Sequence, residues 1–163
     1  MKEDKMKKLE EFDSYKEINE AAADALAKED KDRIVRIARD NGLDPEDAES
    51  FWLGEIEELT TPLLAAIGKI DIESKDIEIF GIFTDWKGVI LDLAQKDEQF
   101  AICVRKKGKS LIECFAAVLK EESKNRKTID KKILKAAGLP EGIPMSTLTK
   151  IEQVNIIKEY YEK

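Results

Sequence analysis

Eight carboxylates and no basic side chain lie between Asp40 and Gly68: Asp40, Asp44, Glu46, Asp47, Glu49, Glu55, Glu57 and Glu58. Acids this dense repel one another unless they meet a basic partner, hold a cation or face water. On a helix at ~100° per residue, Glu46 and Glu57 nearly coincide, and Asp47 and Glu58 lie ~100° further round. Ala48, Trp52, Ile56 and Leu59 form the opposite, apolar arc, while Phe51 falls on the acidic side. One helix over 45–58 would span ~21 Å. Its six carboxylates would then recur every ~3.5 Å, close to the ~3.4 Å between phosphates along one DNA strand. The stretch is therefore a candidate nucleic-acid mimic for a basic groove, with Phe51 as a desolvated anchor. A plain solvated acidic helix face is the competing reading, and a break at Gly54 would splay the two halves.

A second cluster, Arg105-Lys106-Lys107-Gly108-Lys109, places four bases in five residues. It could grip phosphates. It also closes a predicted helix, where cations complement the negative end. No aromatic side chain is interleaved with it to stack bases, so direct nucleic-acid binding is not expected. The segment from Lys131 to Tyr161 reads as helix-loop-helix, but its Pro140–Pro144 loop is long for a DNA-reading turn.

Conventional catalysis is poorly served. The chain contains no histidine, which removes Ser-His-Asp triads, Cys-His pairs and imidazole acid–base chemistry. Cys103 and Cys114 are the only thiols, too few for a zinc site built on four cysteines. Two such cysteines on amphipathic segments read as core residues of a reducing compartment. Paired acids such as Asp44 with Asp47, or Glu55 with Glu58, show no cation-loop pattern. No P-loop, dinucleotide turn or nucleophile elbow occurs. A binding protein without catalytic residues, metal or cofactor is the leading class.

The elements that must position these residues are helical. Ser14–Glu17, Ser110–Glu113 and Thr149–Glu152 have capping-box spacing, and Asp44-Pro45-Glu46-Asp47 is a strong helix start. Ile34, Val35, Ile37 and Ala38 predict an inward face, as do Ile151, Val154, Ile157 and Tyr161. The helix holding Leu111, Cys114, Phe115, Val118 and Leu119 is apolar nearly all round and predicts the central buried element. Residues 70–83 contain period-2 isoleucines, and helix ends with a connection are favoured there over a short strand. The expectation is an all-α, compact single-domain bundle of about seven to nine short helices over 14–163, behind a charged, fraying lead at 1–13. Residues 1–100 carry 27 acids and 14 bases, and residues 101–163 carry 8 acids and 14 bases. The acidic part (14–100) and the basic part (101–163) thus differ in sign, which suits a charged partner or self-association. The N-terminus lacks the apolar stretch of a signal peptide, and no window is long and apolar enough to span a membrane. A cytoplasmic location in a bacterial host cell is expected.

An ordered set of segments resembles the PcfK-like proteins of plasmids and other mobile elements, a group that includes anti-CRISPR inhibitors of the type II RNA-guided nuclease. The matching segments are Asn41 to Glu49, Thr61-Pro62-Leu63-Leu64-Ala65-Ala66-Ile67-Gly68-Lys69, and Ile82 to Trp86. Val104 to Ser110, Gly142-Ile143-Pro144 and Ile156 to Tyr161 complete the set. Thr84 and Lys87 around Trp86, and the bulky Phe51-Trp52 pair, depart from the family pattern and bear on partner preference. The resemblance implies inhibition by binding a type II CRISPR effector nuclease, in its guide-loaded form, without enzymatic activity or cofactor. A non-enzymatic adaptor or structural module of a conjugative element is the alternative.

Overall fold

The computed structural model describes residues 11–163; residues 1–10 of the predicted lead lie outside the described residues. The all-α class holds, with nine helices and one two-stranded ribbon among the described residues. In chain order they are α1 (Tyr15–Ala27), α2 (Lys31–Asp40), α3 (Pro45–Trp52), α4 (Pro62–Ser74), α5 (Ile82–Lys96), α6 (Glu98–Arg105) and α7 (Leu111–Lys124). Then follow β1 (Arg126–Thr128), α8 (Lys131–Ala136), β2 (Pro144–Ser146) and α9 (Lys150–Glu162).

Side-chain caps start most of these helices. Ser14, Asp30, Asp44, Thr61, Asp97, Ser110, Asp130 and Thr149 each accept a backbone N–H of the following turn. Each such cap stabilises its helix by about 1 kcal/mol. Only Thr149–Glu152 closes the reciprocal capping box. The Glu17 carboxylate instead accepts the N–H of Asp13. Before α7 the Tyr160 hydroxyl sits between the two expected partners, accepting the Ser110 N–H at 2.8 Å and donating to Glu113 at 2.9 Å. A residue of α9 thereby replaces half of a local cap, something i,i+3 spacing cannot reveal.

Two hydrophobic clusters meet at α4. Helices α1, α2 and α3 enclose the first, around Ile18, Ile34, Ile37, Phe51 and Leu59, and Ala65 of α4 joins them. Ala66 and Ile70, on the adjoining face of α4, join the second with residues of α5, α6, α7 and α9. The central element is α6, packed against α4, α5 and α9. This corrects the expectation for α7, which buries one side through Leu111, Cys114, Phe115 and Val118. Ile112 and Leu119 on its other side are exposed. The apolar pattern predicts Val35 and Ile151 inside, but no described element covers their faces and both are exposed.

Residues 75–81 connect α4 to α5 without a strand. Their period-2 pattern has a simple origin, since Ile77 and Ile79 are half-buried against the second cluster while Glu78 and Phe80 face water. Strands occur elsewhere, where a loop was expected: β1 and β2 pair antiparallel with Lys127 opposite Met145. No described helix is long and apolar enough to cross a membrane.

Candidate partner-binding surface

The acids of the 44–58 stretch are placed by one helix stop and one clamp. Asp44 caps α3 by accepting the Glu46 N–H at 2.9 Å, and Pro45 occupies the first turn. The helix ends at Trp52 because Gly54 takes φ +75°, a left-handed conformation that costs glycine little. The N–H of Gly54 bonds to Phe51 O, and that of Glu55 bonds to Ser50 O at 2.9 Å, which is the Schellman pattern. The chain then bends through 53–60, with Leu59 buried beneath it. Asn19 of α1 fixes the far end through two 3.0 Å hydrogen bonds, donating to Thr60 O and accepting Thr60 N–H.

The single helix over 45–58 is therefore absent, and so is the evenly spaced carboxylate ladder. Glu46, Asp47 and Glu49 project from α3, while Glu55, Glu57 and Glu58 lie on the bend. Glu49 pairs with Lys31 at 2.8 Å. Glu46, Asp47, Glu55, Glu57 and Glu58 make no ion pair with any described cation. All but the half-buried Asp47 are exposed.

Phe51 cannot serve as the anchor, because it is buried in the first cluster beside Ala48. A wheel drawn for a 14-residue helix placed it among the acids, but the shorter helix turns its Ala48–Phe51 face inward. The exposed apolar group at this surface is Leu53, which caps α3 between the two acidic groups and is 60% exposed. Sequence reasoning passed over Leu53; its place directly before Gly54, at a helix end, was the available signal.

The basic cluster is dispersed. Arg105 is buried and donates from Nη2 to Asn41 Oδ1 at 2.6 Å. Lys109 donates to Tyr160 O at 2.8 Å and lies over that ring. Only Lys106 and Lys107 of the four bases are exposed, so the four do not form a phosphate-gripping patch among the described residues. The backbone N–H of Lys107 is itself bound to the Asp13 carboxylate at 3.0 Å.

What these residues do is join the two halves of the fold. Lys69 of α4 is buried, donates to Val104 O at 3.1 Å and to Lys109 O, and pairs with Glu73 at 3.2 Å. It thus satisfies carbonyls at and just beyond the C-terminus of α6, a task predicted for the local bases. Burial lowers the pKa of Lys69, and Glu73 opposes that lowering. Burial likewise lowers that of Arg105, opposed by Glu11 and then Glu73.

Both cysteines are free. Burial pushes the Cys114 thiol up to about 12, whereas Cys103 is half-buried. Iodoacetamide at about pH 8 is therefore expected to label Cys103 and spare Cys114 until denaturant is added, because only the thiolate reacts. Peptide mass mapping over time checks this, and equal labelling of the folded protein would contradict it.

No protein-family model matches the chain, and neither does a curated protein or a solved structure.

Proposed function

We propose that the protein acts by binding, as an inhibitor of a type II CRISPR effector nuclease, with the acidic surface of α3 and the 53–60 bend as its contact face. The observation that carries this reading is the set of carboxylates at Glu46, Asp47, Glu55, Glu57 and Glu58, none of them ion-paired among the described residues, held on a fixed frame around the exposed Leu53. Such nucleases hold nucleic acid in positively charged channels and read the target-adjacent motif with Arg side chains. An unpaired acidic face gains Coulomb attraction to such a channel without first breaking its own ion pairs. It also steers the encounter. The fit is that of two acidic groups flanking an apolar contact, not of a regular phosphate ladder. The family resemblance of the ordered segments supports the same partner, and the bacterial cytoplasm is where the two would meet. Target cleavage by the guide-loaded nuclease, with and without the protein across a salt series, tests it. Inhibition that weakens as salt rises is expected, and no inhibition of several nuclease orthologues would overturn it.

A second reading, an adaptor of a conjugative or other mobile element, draws on a different observation. Ile133, Leu139, Met145 and Ile151 are all more than half exposed toward the C-terminal end. Association through that region without nuclease inhibition would select it.

A further inference from the structure

A groove of about 620 Å³ runs between α5 and the start of α9. Ile82, Val89 and Val154 supply its apolar lining, and Asp85 and Asp92 lie two helical turns apart along α5. Its floor is fixed by a relay. Buried Trp86 donates from Nε1 to Gln153 at 3.2 Å, and Gln153 donates to Glu122 at 2.7 Å. Gly88 lies inside α5 on this groove, and a Cβ there would meet nothing within 4 Å. Glycine weakens a helix interior, and no contact among the described residues requires it at this position. The dent it leaves admits the close approach of another backbone.

The chain also carries a segment of complementary chemistry. The excursion from β1 through α8 to β2 holds five bases (Arg126, Lys127, Lys131, Lys132, Lys135) against two acids. Ile133, Leu139 and Met145 on it are 63%, 51% and 64% exposed, and Leu134 is the single buried hydrophobic residue of α8. Strands of three residues and a helix of six have little stability of their own. The excursion therefore offers exposed apolar side chains among bases, and the groove offers an apolar lining that carries Asp85 and Asp92, the latter already paired with Lys96 at 2.7 Å. Lys150 is the one cation among the lining residues, and Glu141 of the excursion is available to it.

We infer that the groove between α5 and α9 receives the 126–146 excursion of a second copy of this chain. Exchanged reciprocally about a two-fold axis, with each excursion in the other copy's groove, the contact closes as a dimer, whereas a one-way exchange would propagate into longer assemblies. None of the 44–58 acids takes part, so the dimer stands or falls separately from the inhibitory reading.

Sedimentation velocity over a concentration series, at low and high salt, tests this on the full chain. A dimer that salt weakens is expected. Gly88→Gln puts a side chain into the dent from a Cβ that meets nothing within 4 Å, and Ile133→Asp alters an exposed side chain. Each is expected to raise the dimer dissociation constant by about tenfold or more while circular dichroism stays native. Reversing Asp85 and Asp92 to Lys should weaken the dimer, and adding Lys131→Glu with Lys135→Glu should restore it. A monomer at every concentration, or a dimer indifferent to Gly88→Gln and Ile133→Asp, would overturn the proposal; failure of the charge reversal to rescue would do the same.

Discussion

Gly68→Ala is expected to destabilise the fold by about 3 kcal/mol or more. A Cβ on Gly68 would lie 2.2 Å from Asn41 O and 3.0 Å from Gly42 O, and both obstacles are backbone. Relief requires the turn between α2 and α3 to move away from α4. That movement would pull Asn41 off Arg105, whose buried guanidinium already has an Nε with no hydrogen-bond partner among the described residues. Helix propensity works the other way, favouring Ala inside α4 by about 1 kcal/mol. The sign of the measured change thus separates packing from propensity. Gly42→Ala meets Gly68 O at 2.3 Å and must also adopt φ +69°, which adds about 1–2 kcal/mol. Gly108→Ala enters open space and serves as the near-neutral control, within about 0.5 kcal/mol. Urea unfolding of the three variants checks this. A Gly68→Ala protein as stable as the parent would show that the crossing is not close-packed.

Changing Glu46, Asp47, Glu57 and Glu58 together to amides is expected to slow association with the nuclease by about tenfold or more and to flatten its salt dependence. None of these carboxylates makes an ion pair with a described residue, so the substitutions remove the field of the surface and leave its frame. Glu46 and Asp47 do face the positive end of α3, an interaction worth about 0.3–1 kcal/mol each. A small loss of stability is therefore expected, with the fold kept. Leu53→Asp should instead speed dissociation, because it removes the apolar contact between the two acidic groups. Stopped-flow or surface-based kinetics distinguish the two effects. Inhibition that survives the four amides would place the contact elsewhere on the molecule.

The signals legible in the sequence were local ones. Asp44-Pro45, Thr149–Glu152 and the other caps act within one turn, and the helices start where they indicate. Gly54 marked the break in the acidic stretch, but the left-handed residue that ends α3 is decided by whether Phe51 can reach the core beneath it. That choice depends on α1 and α2, which a helical wheel does not contain. Arg105 reads as one base in a run, yet its partner is Asn41, 64 positions earlier. Lys69 gives no local sign that it will bond to carbonyls beyond it on α6 and its exit. The β1–β2 ribbon joins Arg126–Thr128 to Pro144–Ser146 across α8, and neither segment alternates apolar with polar residues. Val35 and Ile151 fit apolar stripes, but a stripe is buried only where another element lies against it. The acidic surface was visible as composition, whereas its shape, two groups about Leu53, came from tertiary contacts.

Capture of the guide-loaded nuclease by the immobilised protein, measured before and after target DNA is added, tests the inhibitory reading most directly. Binding to the DNA-free complex, lost once target DNA fills the channel and lost again with the four amide substitutions, is the predicted result. No capture, or capture unchanged by both target DNA and the amides, would contradict an acidic surface that competes for the channel.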